Sequence, residues 1–369
     1  MLGIKKGNTL RVTFVLPELN LTGGVRVVGI YAQLLAERGH QINVIYPKSP
    51  RAVKQTFFMK FKDIYKKIKL SNSAKNNRCP FFDHGKADML MIDFYDELTD
   101  DLVPDADVII ATFWMTTAWI KNLNSAKGQK IYFIQHYEMH DWLPKQVVKE
   151  SYKLPFKKIA VSEWIADSLL RLENCLVDKV VLNGVDTKQF YAPTRTKQTT
   201  PTIGFMYSDR AFKGTDLALK AIDIVRHSYP ELKIIVFSSK PANVNFPLPG
   251  NSDFYLCPEQ SMIKELYAKC DAWLFTSRNE GFGLPILEAM ACRTPVIATP
   301  AGAATSLINS KNGYLLDGFS PDKMANAIIE IIKMNNKQWS NVSENAFLSA
   351  KQCSWENSVM EFESALSGS

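Results

Sequence analysis

Two glutamates separated by seven residues, Glu280 and Glu288, bracket the run Gly281-Phe282-Gly283-Leu284-Pro285-Ile286-Leu287. AWLFTS before them has the apolar character of a strand, and Pro285 suits the first turn of a helix. Asn279 to Leu284 therefore reads as a strand-to-helix loop with two glycines. Glycines let a backbone approach a ligand closely, and the N–H groups at a helix start favour an anion such as a diphosphate. Glu288, about one turn inside the helix, is placed to accept two vicinal hydroxyls, as on a ribose. Glu280, in the loop, could meet a second sugar beyond the phosphates. A tight turn with surface glutamates is the plainer reading of such a loop. NAD binding is disfavoured, because the third glycine of the dinucleotide fingerprint and a following acid-ended strand are both missing.

A second concentration lies between Arg51 and Arg78, where nine Lys or Arg residues face one acid, Asp63, for a net +8. The chain as a whole carries +7, so the remainder is nearly neutral. Phe57, Phe58, Phe61, Ile64, Tyr65 and Ile68 would span about 120° of a helix. Lys60, Lys62, Lys66, Lys67 and Lys69 flank that stripe or lie opposite it. A bulky aromatic face with a lysine-rich remainder fits a helix lying in an anionic membrane surface, and an ordinary amphipathic helix packed on its own domain is the alternative. Nucleic acid is not expected, since a phosphate-tracking surface needs no aromatic stripe. Trp114, Trp119 and Trp142 are candidates for stacking on an acceptor sugar, or for the core.

The elements that must position these residues alternate along all 369 residues. Hydrophobic residues make up 46% and charged residues 22%, enough for two cores and too apolar for disorder. No run of 18 apolar residues exists, and MLGIKKGNTLRVTFVL reads as a first strand, not an export signal. Six cysteines without CxxC pairing fit a reducing cytoplasm and argue against structural zinc. RVTFVL, INVIY, DVIIAT, KIYFIQ, KKIAVS and KVVLN are short strands separated by helical patterns. The polar stretch 186–201, with two prolines, reads as a linker. TIGFMY, KIIVFSS, DFYLC, AWLFTS, TPVIAT and GYLL then repeat the alternation, and helices are expected over 321–334 and 337–366. The fold class is α/β, with two doubly wound Rossmann-like domains facing across a cleft. The N-terminal domain spans 1–185, with a C-terminal helix over 354–369 packing back on it, and the C-terminal domain spans 186–353. In such sheets ligands sit beyond the carboxyl ends of the strands.

Glu280 to Glu288 resembles the E-x7-E signature of retaining glycosyltransferases of the two-Rossmann (GT-B) fold, family 4. The resemblance extends over nearly the whole chain. Gly23-Gly24 follows the first strand, His136 ends KIYFIQ, VSEWIADSL and LNGVDTKQF keep their order, and Lys213-Gly214 follows the first strand of the second domain. The resemblance implies that Glu288 holds the donor ribose and that Glu280 contacts the donor sugar near its transferring carbon. It implies that backbone N–H groups of Gly281, Phe282, Gly283 and Leu284 bind the donor, and that Lys213 neutralises the diphosphate leaving group. Gly23 and Gly24 would close onto the phosphates, and His136 would line the reacting centre. The chain departs from the family's G-R-x4-K-G pattern, with Gly204 and Lys213 three residues further apart and Arg210 displaced; Arg210 is retained as a phosphate ligand. Gln135-His136-Tyr137-Glu138 also differs from the common His-Asp or His-Gly form.

No metal or other cofactor is expected. Asp105-Ala106-Asp107 looks like the metal-binding D-x-D of a different glycosyltransferase fold, but it precedes a strand and reads as a turn. The resemblance implies a metal-independent retaining enzyme. It would move a sugar from a nucleotide diphosphate donor to a glycan or lipid-linked acceptor. The expected place is the cytoplasm, peripheral on the inner face of the cell membrane, in cell-surface polysaccharide synthesis. A nucleotide-sugar epimerase on the same fold and a catalytically silent sugar-binding subunit are the alternatives.

Overall fold

The computed structural model describes residues 9–20, 22–48, 79–82, 85–93 and 97–367. The aromatic and lysine-rich stretch 57–69 lies outside the described residues. The chain divides into two compact units, Met1–Ala160 with Ala166–Val181 and Val359–Ser369, and Val161–Ile165 with Leu182–Ser358. Relative to a division into 1–185 with 354–369 and 186–353, the short pieces 161–165, 182–185 and 354–358 go with the second unit.

Unit 1 is built on a parallel sheet of β1 (Arg11–Val15), β2 (Gln41–Pro47), β3 (Asp88–Ile92), β4 (Val108–Ala111), β5 (Gln129–Ile134), β6 (Lys157–Ala160) and β7 (Lys179–Val180). Their order is β3-β2-β1-β4-β5-β6-β7. Phe14 pairs with Val44 on one side and Ile110 on the other. Val12, Phe14 and Val15 are fully buried, as a central parallel strand covered on both faces requires. β3 was not among the strands expected from sequence, because its apolar run, MLMI, is short and none of its five residues is fully buried. Helices α1 (Gly23–Glu37), α2 (Trp114–Ile120), α3 (Lys145–Lys153) and α4 (Glu163–Glu173) join the strands. The order reverses between β1 and β4, so α1 leaves β1 at the switch point where α/β sheets bind ligands.

Unit 2 repeats the plan with β8 (Thr202–Met206), β9 (Lys233–Ser238), β10 (Ser252–Leu256), β11 (Ala272–Phe275), β12 (Val296–Ala298) and β13 (Gly313–Leu315). All pairs are parallel, in the order β10-β9-β8-β11-β12-β13. The helices are α5 (Thr215–Arg226), α6 (Gln260–Ala268), α7 (Leu284–Ala291), α8 (Ala304–Leu307), α9 (Pro321–Lys333) and α10 (Asn336–Gln352), followed by α11 (Trp355–Ser367), which belongs to unit 1 from Val359 on. Here the reversal falls between β8 and β11, and their loops carry Lys213 and Glu280. The stretch 186–201 is not a free linker. Arg195 stacks 4.5 Å from the Trp339 ring and donates to the Cys270 carbonyl, and Lys197 donates to the carbonyls of Ile332 and Met334.

The helical pattern over 337–366 is interrupted at Cys353, whose carbonyl accepts from the Val185 N–H instead of continuing the helix. Val185 pairs with Ser354, and a Cβ on Gly184 would lie 2.3 Å from the Trp355 nitrogen. Two backbones cross there, and only glycine fits. Beyond the break, α11 enters unit 1, where Phe362 meets Tyr31 at 4.4 Å and Phe133 at 5.0 Å.

Candidate functional site

After β8 the chain makes one 3-10 turn, Ala211–Lys213, and then enters the left-handed region at Gly214, with φ +69°. A side chain there would be strained, and its Cβ would stand 2.0 Å from the Thr276 carbonyl oxygen. That close approach stitches the two loops together. Thr276 Oγ1 donates to the Lys213 carbonyl at 2.8 Å, and the Arg278 N–H donates to the Phe212 carbonyl at 2.7 Å. The Arg278 guanidinium forks onto Asp216 at 2.7 Å through both nitrogens, and this hydrogen bond holds the Asp216 carboxyl below its usual range. The stitched loops bring Lys213 Nζ to 2.5 Å from Glu280 Oε2, an oxygen that also accepts from Ser277 Oγ at 3.2 Å. Among the described residues, the buried Asn279 Oδ1 beside them has no hydrogen-bond partner. Such an atom commonly marks a site that a ligand or water completes.

Glycine also sets the entry to α7. Gly283 has φ +93°, and a Cβ on it would strike the Phe275 ring at 2.8 Å. α7 begins at the next residue with Pro285 in its first turn and no side-chain cap, so its first N–H groups have no partner within the helix. The Phe282 carbonyl accepts from Ala303 N at 2.8 Å, and the Gly281 carbonyl accepts from Ser162 Oγ at 2.7 Å. Glu288 is 7% exposed and accepts from Tyr267 OH at 3.0 Å. Arg210 is exposed, its guanidinium 5.9 Å from the ring of Phe212, with Lys213 Nζ 5.5 Å from the same ring. The longer loop thus sets both cations about one aromatic ring. The arrangement combines two cations, two carboxylates and an uncapped helix start at the carboxyl ends of β8 and β11. These groups can hold a polyanion and hydroxyls together.

In unit 1, Gly23 and Gly24 open α1, and a Cβ on Gly24 would lie 3.6 Å from the Gln135 amide. The β1–α1 turn and the end of β5 are therefore neighbours. His136 is half-buried, with Nδ1 3.0 Å from the Tyr137 carbonyl, to which it can only donate. Trp114 and Trp119 are buried and serve the core; Trp142 is 45% exposed. Sequence reasoning passed over Glu138. Its Oε2 accepts from Tyr132 OH at 2.8 Å and from the Trp114 N–H at 2.9 Å, and its own N–H donates to Tyr152 OH. Burial pushes its carboxyl up to about 8, against those two hydrogen bonds. Tyr267 and Ser162 were also unforeseen, since nothing local marks a residue that reaches its partner across the fold, and Ser277, three residues before Glu280, was passed over as part of the strand end.

Among the described residues, no group of three or more His, Cys, Asp or Glu could hold a metal ion. Asp105 pairs with Lys127 at 2.7 Å and Asp107 with Arg11 at 2.9 Å, so the D-A-D run serves the strand starts. No helix among the described residues is long and apolar enough to cross a membrane.

Comparison with known proteins gives the site a context. Residues 186–348 match the family model described as glycosyl transferases group 1. An uncharacterized glycosyltransferase of Methanocaldococcus jannaschii is 28% identical over 224 residues, 55% of this chain and 57% of its own length. A D-inositol 3-phosphate glycosyltransferase of Corynebacterium urealyticum is 27% identical over 174 residues, 43% of this chain and 41% of its own. The chain thus spans about half the length of the curated relatives it matches. The crystal structure of Anabaena HepE in complex with UDP-glucose has a TM-score of 0.71 at 17% identity, covering 98% of this chain and 100% of that one. Sucrose-phosphate synthase from Thermosynechococcus elongatus has a TM-score of 0.69 at 16% identity, covering 97% and 98%. The fold is that of the two-Rossmann-domain (GT-B) glycosyltransferases.

Proposed function

We propose that this protein is a retaining glycosyltransferase that moves a sugar from a nucleotide diphosphate donor to a glycan or lipid-linked acceptor. The observation that carries the reading is the Lys213–Glu280 pair at 2.5 Å, stitched beside the uncapped start of α7 with Glu288 one turn inside it. Uridine diphosphate glucose, held by the Anabaena neighbour, is the first donor to test.

In this reading Glu288 accepts from the ribose hydroxyls, with Tyr267 fixing its second hydrogen bond. The α7 N–H groups and Lys213, joined by Arg210, meet the diphosphate. These groups supply positive potential without a metal ion. The bond between the anomeric carbon and the phosphate oxygen breaks, its electron pair leaving with the diphosphate. The acceptor oxygen attacks on the same face and passes its proton to the departing phosphate oxygen. Glu280 contacts the donor sugar near its transferring carbon. The lysine-rich stretch containing Phe57, Phe58, Phe61, Lys62, Lys66, Lys67 and Lys69 supports, from sequence, work at the inner face of a membrane, as in cell-surface polysaccharide synthesis.

Acceptor-dependent release of free nucleotide diphosphate, with the new linkage keeping the donor's anomeric configuration by NMR, is the expected result. Inverted product would remove the retaining mechanism, and release of an altered nucleotide sugar without acceptor would favour epimerisation.

A further inference from the structure

Unit 1 has a hollow of about 340 Å³ at the amino ends of its strands, lined on one side by Lys121, Ser125, Gly128 and Lys130 and on the other by Leu154, Pro155 and Phe156. Lys121 follows α2, Gly128 and Lys130 stand at the start of β5, and Phe156 directly precedes β6. The hollow therefore lies at the opposite end of the sheet from the loop of His136, where the carboxyl ends of such strands take their ligands.

The chain's own lysines fix both sides. Leu154, held extended by the following proline at φ −58° and ψ 145°, ends α3. The Phe156 N–H donates to the Leu154 carbonyl at 2.7 Å, and Lys158 Nζ donates to the carbonyls of Leu154 and Phe156 at 3.0 Å each. The Leu-Pro-Phe turn is thereby held with its phenyl ring buried. On the other side Gly128 turns the chain at φ +100°, where a Cβ would lie 2.6 Å from the Val108 nitrogen, and Lys130 Nζ donates to the Leu123 carbonyl at 2.6 Å.

Charge remains to be matched. An ammonium has three N–H donors, and among the described residues Lys130 spends one of them. Lys121 is exposed and has no acid partner among the described residues. No Asp or Glu lines the hollow. Asp105 and Asp178, just before β4 and β7, are taken up by Lys127 and by the Lys158 N–H. Two positive charges and a serine hydroxyl beside an apolar wall suit an anion that carries a body. Lysine meets a tetrahedral phosphate as a point charge, and no arginine lines the hollow to fork onto a planar carboxylate. The volume leaves room for more than the phosphate group itself.

We propose that this hollow binds a phosphate ester, with its phosphate on Lys121, Lys130 and Ser125 and its body on Leu154 and Pro155. Such binding goes beyond the glycosyltransferase reading and does not depend on it.

Titration calorimetry on the full chain tests it, with inorganic phosphate, glycerol phosphate and phenyl phosphate as soluble probes. Flotation with phosphatidylcholine vesicles, with and without phosphatidic acid, tests a lipid source of the same group. At least one ester should bind more tightly than inorganic phosphate. Lys121→Glu should weaken that binding about tenfold, and Lys121→Arg should retain most of it. Ser125→Asp, which places a negative charge in the hollow, should weaken it as well. The thermal midpoint should be unchanged in both Lys121 variants, and so should any shift with UDP or GDP, because unit 2 is untouched. Lys121-dependent binding of soluble esters alone would identify a soluble ligand, and Lys121-dependent flotation with phosphatidic acid a lipid; either supports the site. No binding of any probe, binding unchanged in Lys121→Glu, or inorganic phosphate bound as tightly as every ester would overturn it. Lys121-dependent ester binding without any nucleotide shift would leave the site standing and count against the glycosyltransferase reading alone.

Discussion

The loops at the carboxyl ends of the two sheets solve one problem in opposite ways. In unit 2, Glu280 meets a cation, Lys213, and the backbone that carries both passes through glycines at 214 and 283. In unit 1, Glu138 meets only neutral donors among the described residues, two hydrogen bonds to one oxygen, in a buried pocket of tyrosines. A paired, partly exposed carboxylate can exchange its partner for a ligand. A buried, unpaired one fixes geometry and gains a proton readily. The unit 2 loop is arranged for chemistry with charge and the unit 1 loop for rigidity.

The sharpest way to break this contrast is to remove each carboxylate in turn. Glu280→Ala should lower kcat by about 10² to 10³-fold, the usual loss for one electrostatic contact to a reacting centre, with the fold intact by circular dichroism. Wild-type-like transfer would end the assignment of Glu280. Gly214→Ala should come next, destabilising by about 1–3 kcal/mol or more, because it combines a left-handed φ with a contact against Thr276. Urea unfolding measures it, and an unchanged midpoint would show that the two loops are not stitched there.

The remaining prediction is a slope. Glu138 has an ordinary value of 4.5 and stands at about 8 in the fold, so the native state holds its proton more tightly than the unfolded chain. Its contribution to stability is therefore full at low pH and declines as pH rises from about 4.5 to about 8. Glu138→Gln removes that decline. Denaturation midpoints of wild type and variant should diverge across this range, and parallel curves would contradict the buried, unpaired state.

The unit 2 site was legible because its parts are contiguous or tied to a strand end. Glu280 to Glu288 is a single loop and helix start, and Lys213-Gly214 sits next to the predicted strand TIGFMY. Glu138 was not legible, since its environment comes from Tyr132, Trp114 and Tyr152 on three different elements. The break between α10 and α11 escaped notice for the same reason: Gly184, remote in sequence, presses on Trp355. β3 was hidden by its short run and half-exposed residues, and the three tryptophans looked alike until burial separated Trp142 from Trp114 and Trp119. Local pattern carries the alternation of strands and helices, while long-range contacts decide which polar groups are buried.

On the proposed function, the glycine-shaped loop and its two glutamates hold a nucleotide diphosphate. Thermal unfolding with UDP, GDP, ADP, dTDP and CDP, and with NAD as control, tests it most directly. At about 100 times Kd a ligand adds roughly 2.7 kcal/mol, a shift of a few degrees. One of these diphosphates should give a shift that is lost in Glu288→Ala. A shift that survives that substitution, or no shift with any of the five, would contradict it.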